Sequence, residues 1–141
     1  MQYSKKLNIT LWTVQALLAL FFAFGSGLPK LILPMDKLEL PLELPELFIR
    51  FIGVAEVLGA LGLILPGVTR IRPGLTPLAA LGLVVVTVSA TVYHLIAGQP
   101  ANAAFAFTVA LVAAFVAYGR TRLVPLRGRG SSRGNVLQSV N

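Results

Sequence analysis

The chain has 141 residues, of which 56% are hydrophobic and only 12% are charged, with a formal net charge of +7 and a mean hydropathy of +0.82. A soluble domain usually carries about 25% charged residues, so this composition excludes a disordered protein and nearly every class of water-soluble enzyme. Cysteine is absent, which excludes a thiol–disulfide relay, a cysteine nucleophile and cysteine-ligated iron–sulfur clusters. We therefore expect an integral membrane protein.

Four apolar blocks follow one another along the chain, at residues 7–28, 47–65, 75–97 and 101–118. Each is near the ~20 residues that cross a hydrocarbon core of about 30 Å as a helix. A β-barrel needs many alternating segments of roughly ten residues instead. The first block is longer than the apolar core of a signal peptide, so we expect it to be retained. The predicted fold is all-α, a membrane-embedded four-helix bundle over residues 1–119.

The basic residues predict the orientation of this bundle. Nine of them lie before the first span, between the second and third spans, or after the fourth: Lys5, Lys6, Arg70, Arg72, Arg120, Arg122, Arg127, Arg129 and Arg133. By the positive-inside rule, both termini face the cytoplasm. Residues 120–141 are then predicted to form a basic, disordered cytoplasmic tail. Its expected partner is anionic lipid and not nucleic acid.

The outer loop, residues 29–46, joins the first two spans. From residue 37 to residue 47, leucines alternate with acids and prolines. Proline at positions 41 and 45 excludes a regular helix, so this segment is predicted to be extended or turn-rich. It serves either as a connector along the membrane surface or as a lid over a site.

Ionisable residues inside a membrane helix are expensive, so each is a candidate for function. Glu56 lies in the middle of the second span, on a face that also carries Gly53, Gly59 and Ala60. Because small residues let another helix approach closely, we expect Glu56 to point into the bundle with its carboxyl neutral or paired. Two roles are open: binding or proton transfer, and a hydrogen bond that fixes helix packing.

Five further side chains are candidates for a binding site. His94, about one turn from the outer end of the third span, either serves the site or bonds to headgroups as an interfacial histidine. Arg50 is expected to reach the surroundings of Lys30, the loop acids or an anionic headgroup. Gln15 is expected to hydrogen-bond across the bundle toward the second span, and Trp12 is typical of the membrane interface. A single histidine without cysteine predicts no metal site.

Several of these residues lie in segments that resemble the DoxX-like family of membrane proteins. The second-span run carries most of the resemblance, and three other segments agree with it: Arg50-Phe-Ile-Gly53-Val-Ala-Glu56-Val-Leu-Gly59-Ala-Leu-Gly62-Leu-Ile-Leu-Pro66, Trp12-Thr-Val-Gln15, Gly27-Leu-Pro-Lys30-Leu31 and Pro73-Gly-Leu-Thr-Pro-Leu-Ala-Ala80-Leu-Gly82. The resemblance covers residues 10–100 approximately, and its matched positions are Gln15, Lys30, Arg50, Glu56 and His94. It implies a four-helix bundle in a bacterial inner membrane. The broader DoxX group includes a subunit associated with thiosulfate:quinone oxidoreduction, and others with redox or membrane-assembly roles.

Three functions are weighed, in order of preference. In the first, the bundle holds a hydrophobic small molecule (a quinone, isoprenoid or lipid) around Glu56, as an accessory subunit of a membrane redox complex. The second is an acid–base enzyme, an isomerase or cyclase of an isoprenoid, with Glu56 as proton donor and His94 or Gln15 orienting the substrate. The third is a proton-coupled carrier, or a structural partner of another membrane protein or a second copy, without a ligand. The chain has none of the internal repeats that are usual in carriers.

Overall fold

The computed structural model describes residues 2–38, 40 and 42–126, and the regular structure within them is helical without a strand. The first helical rod consists of α1 (Gln2–Leu20), a π-helical segment (Phe21–Gly27) and α2 (Leu28–Ile32). The other helices are α3 (Glu46–Thr69), α4 (Leu75–Ile96) and α5 (Pro100–Tyr118). A second π-helical segment, Gly119–Leu123, continues α5.

Within the described residues, four helical stretches are long and apolar enough to cross a membrane: Lys5–Ile32, Glu46–Thr69, Leu75–Ile96 and Pro100–Leu123. Large apolar side chains such as Leu17, Phe24 and Val85 remain exposed along these helices. In hydrocarbon such side chains have no reason to be buried, so the outer surface is suited to lipid. The predicted all-α fold with four membrane-type helices is confirmed.

The fourth helix ends later than the sequence predicts. Backbone bonding continues in π fashion past Tyr118, and the amide of Val124 donates to the carbonyl of Gly119 at 2.7 Å. Residues 120–123 are therefore helical, and the prediction of a disordered tail from residue 120 is wrong for them. The physical reason is that Arg120 is buried against the bundle. Residues 127–141 of the predicted tail lie outside the described residues.

The core lies where the first rod meets α3, α4 and α5. Its large members are fully or almost fully buried: Leu18, Phe22, Leu63, Leu83 and Val116. Alanines on α3, α4 and α5 fill the spaces between them. Small residues at helix contacts let backbones approach closely, which is how membrane helices gain packing energy without a hydrophobic driving force.

The first rod passes close to α3 at Gly27 and Gly53. A Cβ atom built on Gly27 lies 2.6 Å from the carbonyl oxygen of Phe22, 2.8 Å from the side chain of Val57 and 3.1 Å from the carbonyl oxygen of Gly53. A Cβ atom on Gly53 lies 3.0 Å from the Cβ of Lys30. The two glycines therefore set the spacing that places Lys30 beside α3.

The described residues of the connector between the first rod and α3 (33–38, 40 and 42–45) are non-helical apart from one 3-10 turn, Met35–Lys37. It is attached to α4 through Leu42, whose amide donates to the Tyr93 hydroxyl at 2.9 Å and whose carbonyl accepts from that hydroxyl at 2.7 Å. The turn between α4 and α5 uses a positive φ of +73° at Gly98. We call this end of the bundle, with the described residues of the connector and Gly98, the loop end.

The opposite end carries most of the basic residues of the described chain, and we call it the basic end. It includes Lys5 and Lys6 of α1, the α3–α4 turn with Arg70 and Arg72, and Arg120 after α5. Which membrane face this end meets stays a prediction from the charge distribution.

The close passage at Gly27 generates a stability prediction. Gly27→Ala should lower the free energy of unfolding by about 1–3 kcal/mol, because the added methyl group meets a backbone carbonyl and Val57. Gly82→Ala in α4 is the matched control, since a Cβ atom there meets nothing within 4 Å. Thermal unfolding followed by circular dichroism in detergent measures both variants. Equal unfolding temperatures for the two variants would contradict the close passage.

Candidate functional site

Glu56 is the centre of a three-residue polar cluster that joins the first rod to α3. Its side chain is 5% exposed, and its Oε2 lies 2.9 Å from Nζ of Lys30. The Ser26 hydroxyl donates to Oε1 of Glu56 at 2.9 Å and accepts from Nζ of Lys30 at 2.6 Å. We call Ser26, Lys30 and Glu56 the Lys30–Glu56 cluster. Glu56 points into the bundle with its carboxyl paired, which is one of the two states that the sequence predicts.

The π-helical segment explains how Ser26 and Lys30 come to the same position. In a π-helix each backbone bond joins residues five apart, so α2 presents a different face to α3 than a continuous α-helix would. Ser26 lies within this segment, and Lys30 follows Ser26 by four residues, about one turn. Lys30 also donates to the backbone carbonyl of Ser26, at 3.3 Å. The register change thus directs both side chains toward Glu56.

Arg50 fixes the end of α2 beside this cluster. Its Nη1 donates to the carbonyl oxygens of Lys30, at 2.5 Å, and Leu33, at 2.8 Å. Its Nη2 lies 3.2 Å from Oε1 of Glu46, one turn earlier on α3. Carbonyls at a helix C-terminus lack hydrogen-bond donors within the helix, and here the Arg50 guanidinium supplies the donors. This is where the sequence places Arg50, next to Lys30 and a loop acid.

A second polar cluster lies at the basic end, around Arg120. Gln15 is fully buried, and its Nε2 donates to the carbonyl of Leu63 on α3 at 2.5 Å. Its Oε1 accepts from Nε of Arg120 at 2.6 Å, and Nη1 of Arg120 donates to Oδ1 of Asn8 at 2.7 Å. The guanidinium carbon lies 5.4 Å from the centroid of the Trp12 ring. We call Asn8, Trp12, Gln15 and Arg120 the Arg120 cluster; the expected bond from Gln15 to the second span is confirmed.

Close contacts with two glycines hold this second cluster together. The Trp12 ring packs against Gly67 near the end of α3, where there is no room for a Cβ atom. Leu11 packs in the same way against Gly119, which brings the end of α5 onto α1. Trp12, expected at the membrane interface, therefore also packs against the bundle and lies under Arg120.

His94 lies apart from both clusters. Its Nδ1 is 2.9 Å from Oε1 of Gln99 in the α4–α5 turn, and its ring packs edge-on against Tyr93 at 5.5 Å. Within the described part of the chain, His94 has no hydrogen bond to Glu56. The predicted site residues therefore fall into three groups. Lys30, Glu56 and Arg50 form the first, Gln15 and Trp12 belong to the Arg120 cluster, and His94 contacts neither group through a hydrogen bond of the described chain.

An apolar groove of about 340 Å³ lies between α3 and α4. Its lining includes Ala55, Leu58, Gly59, Gly62, Ala79 and Gly82. Neither Glu56 nor Lys30 lines it. Among the residues that the structure describes, no three His, Asp or Glu side chains come together as metal ligands would.

Comparison with known proteins identifies the family. A family model described as the DoxX-like family matches residues 13–117. The chain belongs to the DoxX-like family. With four helices apolar enough to span a membrane, this DoxX-like chain is an integral membrane protein in contact with the lipid bilayer. Neither the curated proteins nor the solved structures give a match.

The family match separates the two clusters. It includes all of Ser26, Lys30 and Glu56, but it ends before Arg120 and begins after Asn8. The Lys30–Glu56 cluster thus lies wholly within the part of the chain that the family model matches. Membership in the family identifies a fold more directly than an activity.

Three residues of these clusters are not among the candidates from sequence: Ser26, Asn8 and Arg120. One signal for them exists in the first span, where Asn8 and Gln15 lie seven residues apart and therefore on one helix face. Two amides on one face of a membrane helix call for a polar partner on another helix. Ser26 and Lys30 are likewise one turn apart.

The ion pair generates a double-mutant prediction. Lys30→Met should lower the free energy of unfolding by about 3 kcal/mol, because it leaves the Glu56 carboxylate buried without a cation. Adding Glu56→Gln removes that unpaired charge, so the double variant should be more stable than Lys30→Met alone. Lys37→Met, at an exposed lysine of the connector, is the control and should change little. Denaturant unfolding in mixed micelles measures the four proteins, and strictly additive effects would rule out the coupling.

Proposed function

We propose that this DoxX-like protein binds a lipophilic small molecule with a polar head at the Lys30–Glu56 cluster, as an accessory subunit of a membrane redox complex. The ligand class is a quinone, an isoprenoid or a lipid. The observation that carries the proposal is an ion pair between two membrane-type helices. The lysine side chain of this pair keeps 22% of its surface exposed. Ionisable groups at membrane depth are costly and by default mark function.

The hydrogen-bonding capacity of the cluster supports a ligand head of this kind. A carboxylate has about four acceptor positions, and Glu56 receives one bond on each oxygen within the described chain. Of the bonds that Nζ of Lys30 makes, the one to the Ser26 carbonyl is the longest, at 3.3 Å. A ligand carbonyl can replace that acceptor, and a ligand hydroxyl can donate to Glu56. A quinone, a quinol and an isoprenoid alcohol each offer such groups.

Helix packing alone is a weaker reason for these residues. Replacing a buried ion pair with well-packed apolar residues is often neutral or stabilising. The first rod already contacts α3 closely at Gly27 and Gly53, and Gln15 adds a hydrogen bond to the Leu63 carbonyl. The contact between the first rod and α3 therefore does not rest on Lys30 and Glu56 alone, which favours a binding role in addition to the structural one.

The acid–base alternative needs Glu56 to be a protonated donor. Its two oxygens instead face an ammonium and a hydroxyl donor, an environment that suits a carboxylate. His94, the residue expected to orient a substrate, bonds to Gln99 at the α4–α5 turn. We therefore prefer binding to catalysis.

We also infer the membrane and the orientation. Nine lysines and arginines flank the basic end along the sequence, and the loop end has Lys30, Lys37 and Arg50 beside several acids. This asymmetry supports a cytoplasmic basic end with both termini inside, in a bacterial inner membrane. The Lys30–Glu56 cluster then opens toward the outer half of the bilayer.

Co-purification tests the proposed ligand. Small molecules extracted with the detergent-purified protein are identified by mass spectrometry for the wild type, Glu56→Gln and the control Glu43→Gln, which changes an exposed acid of the connector. We expect a quinone, isoprenoid or lipid enriched in the wild type and in Glu43→Gln. Its amount should fall roughly tenfold in Glu56→Gln, the effect of losing one hydrogen bond to a charged group.

Circular dichroism of each preparation shows whether Glu56→Gln keeps its helices. Equal ligand content in folded wild type and Glu56→Gln would remove the ligand role and leave Glu56 as a packing residue. Incubating the identified compound with the wild type separates the alternatives further, because conversion of the compound would replace the accessory role with the enzymatic one.

A further inference from the structure

Arg120 is a buried cation, and among the described residues no carboxylate side chain lies at the same end of the bundle. It is only 2% exposed. Every Asp and Glu of the sequence lies between residues 36 and 56. Of these, Glu56 is paired with Lys30 and Glu46 with Arg50, near the loop end. A buried charge without a partner is strongly unfavourable, so its counter-charge has to come from outside the chain's side chains.

The guanidinium is held in place with one nitrogen unused. Nε donates to Gln15 at 2.6 Å, and Nη1 donates to Asn8 at 2.7 Å and to the carbonyl of Val124 at 3.1 Å. Nη2 is buried and has no hydrogen-bond partner among the described residues. Buried donors are almost always satisfied, and an exception calls for an explanation. Two neutral amides orient Arg120 while leaving its charge and its Nη2 free for an anion.

We propose that Arg120 binds a phosphate-type anion through Nη1 and Nη2, and that the headgroup of an anionic phospholipid at the basic end supplies it. The planar guanidinium fork matches two oxygens of a phosphate group. The position favours a lipid as the source, because Arg120 lies in the last turn of a membrane-type helix and over Trp12, a residue typical of the membrane interface. This site is independent of the proposed function at the Lys30–Glu56 cluster.

The carbonyl of Val124 is the contact that such an anion replaces. Its bond to Nη1 is the longest of the three that the guanidinium makes. Residues 124–126 are non-helical, and Leu126 lies against Gly67 beside the Trp12 ring. We expect a small displacement of this short segment to free Nη1 for the anion. Asn8 and Gln15 keep the guanidinium oriented while it happens.

The binding test uses the full chain purified in a neutral detergent, with three probes: phosphatidylglycerol, phosphatidylcholine and inorganic phosphate. We expect phosphatidylglycerol to raise the thermal unfolding temperature and to appear as a bound adduct by native mass spectrometry. Phosphatidylcholine and inorganic phosphate should not do so. Equal effects of the two lipids would overturn the site, and an equal effect of inorganic phosphate would overturn the lipid as its source.

Variants assign the effect to Arg120. Arg120→Gln should weaken phosphatidylglycerol binding roughly tenfold, the loss of a charge-assisted hydrogen bond. Arg122→Gln removes the same charge from an exposed position two residues away and should leave binding unchanged. Equal losses in both variants would mean diffuse charge attraction and would overturn the proposal.

A further variant covers the case in which Arg120→Gln loses its helices. Arg120→Lys keeps the charge but removes the planar fork and Nη2. We expect a folded protein that binds phosphatidylglycerol roughly tenfold more weakly than the wild type. Unchanged binding by folded Arg120→Lys would contradict the role of the guanidinium.

Discussion

The ion pair between Lys30 and Glu56 is the constraint on which the arrangement of the first rod depends. A charge among apolar helices must find an opposite charge and fill its remaining hydrogen bonds. In this rod, the register changes in the π-helical segment, and both Ser26 and Lys30 contact Glu56. The glycine at position 27 then permits the approach that a 2.9 Å contact needs. The contact between the first rod and α3 therefore combines three local features: the register of the π-helical segment, the close approach at Gly27, and the ion pair.

Hydropathy predicts the fold because backbone N–H and C=O groups in lipid must be hydrogen-bonded within the protein. Each apolar block of sufficient length therefore becomes a helix. The small residues around Glu56 likewise predict that it points inward. The pairing of Glu56 with Lys30 does not follow from the sequence. The pairing depends on the π-helical register of Phe21–Gly27, and no residue of that segment predicts a π-helix. Arg120 is missed for another reason. An arginine after the last apolar residue is ordinarily a surface charge, and only its fit against Asn8 and Gln15 makes it a buried one.

The two polar clusters solve the problem of buried charge in different ways. In the Lys30–Glu56 cluster, both charges belong to the chain, and a ligand is expected to bind through neutral donor and acceptor groups. In the Arg120 cluster, the oxygens that contact the guanidinium are amide or backbone oxygens, which orient the cation without neutralising it. The first arrangement suits an uncharged polar head, and the second suits an anion. The two proposals therefore assign chemically distinct ligands to two separate places in one bundle.

Both clusters are tied to the same face of α3. Glu56 and Leu63 lie seven residues apart, two helical turns, and both are buried toward the first rod. Glu56 binds Lys30 after the π-helical segment, whereas the Leu63 carbonyl binds Gln15 before it. The first rod is thus attached to α3 on both sides of its register change. The two attachments share no residue, since one is the Lys30–Glu56 ion pair and the other is the bond from Gln15 to the Leu63 carbonyl. We therefore expect loss of the ion pair to free only the loop-end part of the rod. The Gln15 bond continues to hold α1 and, through Gln15, the orientation of Arg120.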